Sequence, residues 1–255
     1  MNANHRTSPN GTAPAPELSV VVSCFNRADV IETALRRCFA AVGGVVAHSE
    51  VIVINDGSKD GSVRILDRLR KEFPQLRVIH QLHSGDARAL RRGYDLARGE
   101  YIFQFDVDCQ DWLADFSRFW DHRGRYALIL GKSPEQPGPI QRLFNWAFSR
   151  WIKLWFGAEL TAPTSVYRLC ETLAVRPYVQ AIPREFEEPG LGVALTFFRD
   201  HPRRILELEM PQPLRPARFA PSLRIARFLH YLQEVPALRV KRLPAPKIAH
   251  VPQSI

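Results

Sequence analysis

Residues 18–35, LSVVVSCFNRADVIETAL, change from one hydrophobic pattern to another within a few positions. Leu18 to Val22 form an apolar run of the length of a buried strand. From Val30 onward the apolar residues recur at helical spacing; they are Val30, Ile31, Ala34, Leu35, Cys38 and Phe39. The stretch therefore predicts a strand followed by an amphipathic helix.

The same unit recurs along the first half of the chain. Further strands are predicted at 51–55 (VIVIN), 76–80 (LRVIH), 101–105 (YIFQF) and 126–130 (YALIL). Helices are predicted at 60–73, with Asp60 or Ser62 as the N-cap, and at 86–99. Strands that are apolar on both faces and alternate with helices indicate an α/β fold, with a mostly parallel sheet covered by helices on both faces.

Length and composition limit the class of protein. A chain of 255 residues that is 45% hydrophobic can bury one sizeable core, so one main domain is expected. No window is apolar over the roughly 18 residues of a transmembrane helix, and the first 17 residues lack the apolar core of a signal peptide. We therefore expect a cytoplasmic protein with a disordered leader over residues 1–17. The four cysteines, at 24, 38, 109 and 170, form no CxxC pair and are expected to be free thiols.

The net charge of +9 predicts attraction to an anionic partner. Nucleic acid, a membrane surface and a phosphorylated substrate all qualify. Because no nucleic-acid-reading motif accompanies the charge, nucleic acid is not expected as a partner.

Polar residues follow the predicted strands. They lie at 23–26, 55–58, 80–85 and 106–110. In a parallel α/β sheet, ligands bind beyond the carboxyl ends of the strands, so these four segments are the candidate site.

The segment YIFQFDVDCQDW, residues 101–112, places Asp106, Asp108 and Gln110 at alternate positions. If the extended geometry persists beyond Phe105, the three side chains share one side and Cys109 faces away. Two carboxylates and an amide oxygen suit a hard divalent cation such as Mg²⁺, whose shell a diphosphate would complete. The alternative interpretation is a polar loop at a strand end.

Asp56, in INDGSKDGS, also has two interpretations. Its carboxylate could accept hydrogen bonds from the edge of a nucleobase, or the Asp-Gly pair could simply form a turn.

Residues 140–157 predict an amphipathic helix that contains Trp146, Trp151 and Trp155 together with arginine and lysine. The helix could pack in the core, or it could lie in a membrane interface, where indole rings and cations are favoured. A second basic amphipathic stretch covers residues 222–243 and is broken by Pro236. The tail, residues 234–255, is basic and rich in proline, and we expect it to be loosely ordered.

Together, LSVVVSCFNRADVIETAL, EVIVINDGSKDGS and ALRRGYDLARGEYIFQFDVDCQ resemble the family 2 glycosyltransferases, which have the GT-A fold. The resemblance is most specific over residues 18–112. The form DxDxQ is similar to the branch that loads sugars onto polyprenyl phosphates, the dolichyl-phosphate mannose synthase type. The resemblance implies one glycosyltransferase domain at residues 18–233, with a nucleotide-binding half at 18–112 and an acceptor half at 113–233.

The resemblance also implies the roles of individual residues. It implies an inverting transfer from a UDP- or GDP-sugar, with Mg²⁺ or Mn²⁺, to a lipid phosphate at the inner face of the membrane. The nucleotide-sugar would be held by Ser23, Phe25, Asn26, Asp56, Ser58, Gly85 and Asp106. The metal ligands would be Asp106, Asp108 and Gln110. Residues implied in catalysis are Asp108, Lys132 and Arg168, and those at the acceptor phosphate are Arg215, Arg218 and Ser222. Membrane contact would come from Trp146, Trp151 and Trp155.

The chain departs from the family pattern at four positions. His83 replaces an asparagine, Asp86 stands where the residue is often basic or neutral, and Ala162 and Val166 replace an acid and a glycine. An acid beside the donor diphosphate would repel it, which leaves a catalytically weak nucleotide-sugar-binding protein as one alternative. Another is transfer to a glycan or small-molecule hydroxyl, with Glu185, Glu187 or Glu188 as the base.

Overall fold

The computed structural model describes residues 15–134, 139–186 and 188–211. Its strands are β1 (Leu18–Cys24), β2 (Ser49–Asp56), β3 (Leu76–Gln81), β4 (Tyr101–Gln104), β5 (Leu128–Lys132), β6 (Arg168–Glu171) and β7 (Ile205–Glu209). Its α-helices are α1 (Ile31–Gly43), α2 (Ser62–Glu72), α3 (Asp86–Leu96), α4 (Phe116–Asp121), α5 (Pro139–Phe156), α6 (Thr172–Ala181) and α7 (Pro189–Asp200). Two 3₁₀ helices span Val107–Asp115 and Pro202–Arg204.

The seven strands form one sheet in the order β3-β2-β1-β4-β6-β5-β7. Neighbouring strands are parallel except that β6 is antiparallel to both β4 and β5. The carboxyl ends of the other six strands and the amino end of β6 therefore share one edge of the sheet. The predicted mostly parallel sheet is confirmed, and the reversed direction of β6 is an addition to it.

Helices cover both faces of this sheet. Alternate residues of β1 enter separate cores: Val20 and Val22 pack with α1, α2 and α4, whereas Val21 packs with α3, α5, α6 and α7. Two-sided burial explains why the strands read as continuous apolar runs rather than alternating ones. The predicted covering of both faces is confirmed.

The amino edge of the sheet, opposite the candidate site, is held by Glu50. Its buried carboxylate accepts hydrogen bonds from the Ser19 hydroxyl (2.7 Å), the Arg98 backbone N–H (2.9 Å) and the guanidinium groups of Arg77 (2.7 Å) and Arg98 (2.8 Å). Burial alone would raise the pKa of Glu50, but the hydrogen bonds from Arg98, Arg77 and Ser19 outweigh it and the pKa is lowered. This carboxylate ties β1, β2, β3 and the turn before β4 together.

The predicted cap of α2 is wrong in detail. Gly61 is the N-cap residue and no side chain caps the helix at that position. Asp60 contributes from one residue earlier, since its carboxylate accepts hydrogen bonds from the N–H groups of Ser62 (2.9 Å) and Ala28 (3.0 Å). The carboxylate therefore joins the start of α2 to the loop after β1.

Several expectations fall outside the described residues. They are most of the leader at 1–17, the basic stretch at 222–243, and the tail at 234–255. Within the described part of the chain, none of the helices combines the length and the hydropathy needed to cross a bilayer.

Candidate active site

The shared edge of the sheet gathers most of the predicted site residues that the structure describes. The end of β1 carries Ser23, Phe25 and Asn26, the end of β2 carries Asp56 and Ser58, and Gly85 lies just before α3. The segment after β4 carries Asp106, Asp108 and Gln110. Lys132 lies at the end of β5 and Arg168 at the start of β6. Register supports the placement of Arg168, which pairs with Gln104 of β4 and with Leu130 of β5. The topology thus places residues from six strands along one edge.

The loops after β1 and β2 are joined by hydrogen bonds from backbone N–H groups to side-chain oxygens. Asn26 has a left-handed backbone, with φ of 52°, which is uncommon outside glycine but several-fold enriched in asparagine. Its N–H donates to the Ser58 hydroxyl (2.9 Å), its side-chain oxygen accepts from the Lys59 N–H (2.8 Å), and the Arg27 N–H donates to the Ser62 hydroxyl (3.0 Å). These contacts fix the direction in which the Arg27 side chain leaves the loop.

Asp56 holds the loop between β3 and α3. Its carboxylate is buried and accepts hydrogen bonds from Gln81 Nε2 (2.7 Å), Ser84 N (2.9 Å) and Gly85 N (2.9 Å), and His83 Nδ1 lies 2.9 Å from it. Burial would raise the pKa of Asp56, but the hydrogen bonds from Gln81, Ser84 and Gly85 hold it below its ordinary value. Both oxygens thus have partners within the protein, and the geometry gives Asp56 a positioning role. Contact with a nucleobase stays a prediction.

Gly57 allows the loop between β3 and α3 to lie close to the backbone that follows β2. Its φ is 74°, and a Cβ at this position would lie 2.7 Å from the backbone nitrogen of His83. Both the conformation and the contact therefore require glycine.

Replacement of Gly57 by alanine should lower the free energy of unfolding by about 2–4 kcal/mol, since it adds left-handed strain to a backbone clash. Urea denaturation would measure the change. Gly124 offers a matched control, because a Cβ there meets no atom within 4 Å and its φ is ordinary. Equal stability of the Gly57→Ala and Gly124→Ala variants would contradict the assigned role.

His83, the residue found in place of the family asparagine, forms an aromatic pair at this edge. Its ring stacks on Phe25 with centroids 4.1 Å apart and an interplanar angle of 21°. Phe25 is 41% exposed and the His83 side chain 57% exposed, although His83 is also anchored to Asp56. The pair offers a planar surface on which an aromatic ligand could stack.

The DxDxQ segment does not continue the strand. The extended chain ends at Asp106, whose carboxylate accepts a hydrogen bond from the Asp108 N–H (2.9 Å) and so caps the 3₁₀ helix at Val107–Asp115. The expectation that residues 106, 108 and 110 alternate along an extended chain is therefore wrong. Cys109 is buried and free, as predicted.

The electrostatics of this segment favour a bound cation. Desolvation raises the pKa of Asp106, and the negative charges of Asp108 and Asp86 raise it further, against the opposing effects of the hydrogen bond from the Asp108 N–H and of the Arg27 charge. The Asp108 carboxylate is 40% exposed and lies 3.3 Å from the Arg27 guanidinium. The carbonyl oxygen of the Gln110 side chain is buried and has no hydrogen-bond partner. A divalent cation would satisfy these groups, so the donor set fits one that takes its remaining ligands from water and phosphate.

That fit depends on ligands from outside the protein. Among the described residues there is no cluster of three or more histidine, cysteine, aspartate or glutamate side chains arranged to hold a metal. Asp106 and Asp108 could therefore supply only part of a coordination shell.

The two predicted cations at the other half of the edge are already engaged. Lys132 Nζ lies 3.1 Å from Glu209 Oε1 of β7. Arg168 is buried, donates to the Ser165 carbonyl and packs against Gly190 at the start of α7, while its Nε has no partner. Arg168 is therefore placed below the surface of the site rather than in the open.

Sequence reasoning missed two side chains at this edge, Arg27 and Glu207. Glu207 of β7 accepts hydrogen bonds from the Thr161 N–H (2.8 Å), the Thr161 hydroxyl (2.7 Å) and the Ala162 N–H. The Glu207 carboxylate therefore binds the backbone N–H of Ala162, the position at which the glycosyltransferases that the sequence resembles have an acidic residue. A single acidic residue on a distant strand gives no local signal in the sequence.

Helix α5 exposes a different set of residues from the one predicted. Trp151 and Trp155 are half-buried and pack against the core, whereas Trp146 is 65% exposed and Leu154 80% exposed. The core-packing alternative therefore applies to part of the Trp151 and Trp155 side chains, and membrane contact by the three tryptophans stays a prediction. Among the side chains of α5 that the structure describes, the exposed large apolar ones are Leu143, Trp146 and Leu154.

Three predicted acceptor residues, Arg215, Arg218 and Ser222, and the candidate base Glu187 lie outside the described residues. Of the other two candidate bases, Glu188 is the N-cap residue of α7 and Glu185 is exposed in the preceding turn.

Comparisons with known proteins show what the chain is similar to in sequence and in fold. Residues 19–133 match the family described as glycosyl transferase family 2. The chain is 33% identical over 92 residues to an uncharacterized glycosyltransferase of Escherichia coli (strain K12). It is 29% identical over 100 residues to an undecaprenyl-phosphate 4-deoxy-4-formamido-L-arabinose transferase of Pseudomonas fluorescens. These alignments cover 36% and 38% of the chain but only 26% and 30% of the two relatives.

Solved structures show the same fold. A mannosyltransferase from Pyrobaculum calidifontis, in complex with GDP-Man and Mn²⁺, has a TM-score of 0.63 and 19% identity, over 91% of this chain and 66% of that one. A glucosyl-3-phosphoglycerate synthase from Mycobacterium tuberculosis, in complex with Mn²⁺, UDP and phosphoglyceric acid, has a TM-score of 0.64 and 17% identity, over 89% and 80% of the two chains. The GT-A fold predicted from the sequence is confirmed.

Proposed function

We propose that the protein transfers a sugar from a UDP- or GDP-sugar to a membrane-held polyprenyl phosphate. The match of residues 19–133 to the family described as glycosyl transferase family 2 supports this proposal. The transfer is inverting and depends on a divalent cation. The observation that carries the proposal is Asp108 of the DxDxQ segment, exposed beside a partly buried Asp106 at the carboxyl edge of the sheet. The similarity to an undecaprenyl-phosphate transferase supports the choice of acceptor.

The donor lies across the joined loops of β1, β2 and β3. The Phe25–His83 stack receives the nucleobase on its exposed surface, and the neighbouring loops contact ribose and phosphate. The remaining donor contacts are assigned to Ser23, Asn26, Asp56, Ser58, Gly85 and Asp106. Asp56 acts in this group by holding the Ser84 and Gly85 amides in place.

Asp106, Asp108 and Gln110 would hold Mg²⁺ or Mn²⁺. The bound cation would supply Lewis-acid neutralisation of the diphosphate as it leaves the sugar. Asp106, the partly buried N-cap of the 3₁₀ helix, accepts the Asp108 N–H and so fixes the backbone of Asp108 at this edge.

A phosphate acceptor needs cationic side chains to bind it rather than a general base to deprotonate it. Displacement at an anomeric carbon with an oxocarbenium-like transition state inverts the configuration when the nucleophile attacks the opposite face. A phosphate monoester, with a second pKa of about 6, is already largely dianionic at neutral pH. Lys132 and Arg168 are assigned to the acceptor side of this edge, and Arg215, Arg218 and Ser222 to the acceptor phosphate.

A transfer assay separates this proposal from its main alternative. The protein would be incubated with radiolabelled UDP- and GDP-sugars, Mn²⁺ or Mg²⁺, and liposomes that contain undecaprenyl phosphate. We expect label in the lipid fraction, in a product cleaved by mild acid. Label in added glycan or small-molecule alcohols, with none in lipid, would contradict the acceptor assignment and favour a hydroxyl acceptor. Nucleotide-sugar binding without transfer to any acceptor would favour a binding protein.

We assign the membrane-facing surface to Leu143, Trp146 and Leu154 of α5. The double variant Trp146→Ser/Leu154→Ser should weaken binding to anionic liposomes at least about tenfold, because each apolar side chain contributes about 1.5–3 kcal/mol when it leaves water. Liposome co-sedimentation measures this. The matched control is Val45→Ser/Leu173→Ser, which removes two exposed apolar residues elsewhere. Equal binding by the two double variants would contradict the assignment.

A further inference from the structure

The Arg27 guanidinium lies beside Asp108, at the place where a metal-dependent site would hold the divalent cation. The guanidinium Nη2 is 3.3 Å from Asp108 Oδ2, and the two side chains are 38% and 40% exposed. The carboxylate assigned to a divalent cation is therefore paired with a cation of the protein itself.

The position of Arg27 is built into the loop. Its N–H is bound by the Ser62 hydroxyl, and Ser62 is fully buried. The preceding residue, Asn26, has the left-handed backbone already described. A surface arginine that met Asp108 by chance would need no such anchoring of its backbone.

We propose that Arg27 is a donor-binding residue that exchanges partners: it pairs with Asp108 when no divalent cation is bound, and binds the diphosphate of the nucleotide-sugar once a cation occupies Asp108. This inference rests on the proposed function. It adds Arg27 to the donor contacts assigned under the proposed function.

Charge and geometry both support the exchange. A guanidinium and a divalent cation repel each other at one carboxylate, so the incoming cation displaces Arg27 unless another anion compensates. The diphosphate is that anion, and a planar guanidinium can bind phosphate oxygens through two parallel hydrogen bonds. The released side chain needs only to rotate, because its backbone stays fixed at Ser62. Arg27 would also offset the negative charge that Asp86 brings to this edge.

The exchange predicts opposite effects of one substitution on two ligands. In Arg27→Gln, Mn²⁺ alone should bind about two- to fivefold more tightly, which is the range expected when an exposed ion pair no longer competes. UDP or GDP, in saturating Mn²⁺, should bind at least about tenfold more weakly, since a charge-assisted contact is lost. Isothermal titration calorimetry measures both dissociation constants.

Arg37→Gln is the matched control. Arg37 pairs with Asp111 on the same 3₁₀ helix, so this variant loses the same charge and breaks an ion pair one turn away. Neither ligand should change affinity in it by more than about twofold. A second variant, Arg27→Lys, keeps the charge without the planar fork and should bind Mn²⁺ like the wild type and nucleotide with intermediate affinity.

The possible outcomes separate the inference from the proposed function. Wild-type protein that binds Mn²⁺ but neither UDP nor GDP would overturn both. Wild-type protein that binds nucleotide, with Arg27→Gln binding it equally well, would overturn the inference alone. Weaker binding of both Mn²⁺ and nucleotide by Arg27→Gln would show a structural role and would also overturn the exchange.

Discussion

Replacement of Asp108 by asparagine should lower the rate of sugar transfer by about a thousandfold. The reason is that Lewis-acid neutralisation of a leaving group contributes several kcal/mol, and about 4 kcal/mol corresponds to a factor of about 1000 in rate. Asparagine keeps the size of the side chain but removes the charge that attracts a divalent cation. Transfer would be measured at saturating donor while Mn²⁺ is varied.

Asp111→Asn is the control for this substitution. Asp111 lies on the same 3₁₀ helix and pairs with Arg37. Its loss removes an exposed ion pair, so transfer should stay within about threefold of the wild type. Full transfer by Asp108→Asn at wild-type Mn²⁺ concentrations would refute the proposed role of the DxDxQ segment.

Replacement of Glu50 by alanine should lower the free energy of unfolding by about 3–4 kcal/mol. The carboxylate is a buried acceptor for donors on three segments of the chain, and its removal leaves the Ser19 hydroxyl and the Arg98 N–H with less than their full set of partners. Urea denaturation at neutral pH measures the loss. Because Glu50 lies at the edge opposite the site, the folded variant should still bind nucleotide-sugar.

The lowered pKa of Glu50 adds a dependence on pH. A carboxyl whose pKa is lower in the folded than in the unfolded protein contributes stability above its unfolded pKa, here about 4.5, and that contribution disappears as the pH falls through the folded pKa. The gap in stability between wild type and Glu50→Ala should therefore narrow below pH 4.5. Glu72→Ala, which removes an exposed partner of Arg36, should lower the free energy of unfolding far less than Glu50→Ala does. Equal losses in the Glu50 and Glu72 variants would contradict the account of the buried carboxylate.

The sequence predicted the elements of the fold because burial leaves a periodic signal. The runs at Leu18–Val22 and 51–55 are apolar on both faces, as strands between two helical layers must be, and both lie in strands of the sheet. The direction of β6 had no such signal, because its four residues pair equally well with a parallel or an antiparallel neighbour. Its direction follows from long-range pairing with β4 and β5.

The candidate site was predicted by position rather than by geometry. The strand-end rule placed Asp106 and Asp108 correctly at the edge, but periodicity could not show that Asp106 caps a 3₁₀ helix instead of extending the strand. On α5, apolar residues occur around much of the helix, so periodicity alone did not reveal that Trp151 faces inward while Trp146 and Leu154 face outward. Arg27 was missed because its partner, Asp108, lies 81 positions away in the sequence.

The central claim is that this edge binds a nucleotide-sugar together with a divalent cation. It is tested most directly by thermal denaturation of the wild-type protein and the Asp108→Asn variant with UDP- and GDP-sugars, each with and without Mn²⁺ or Mg²⁺. A ligand that binds only the native state at about 100 times its Kd adds about 2.7 kcal/mol, which is a rise of about 5 °C or more in Tm for a domain of this size. We predict such a rise for sugars of one nucleobase, only when the cation is present and only in the wild type. A wild-type Tm that no nucleotide-sugar raises with either cation would contradict the claim.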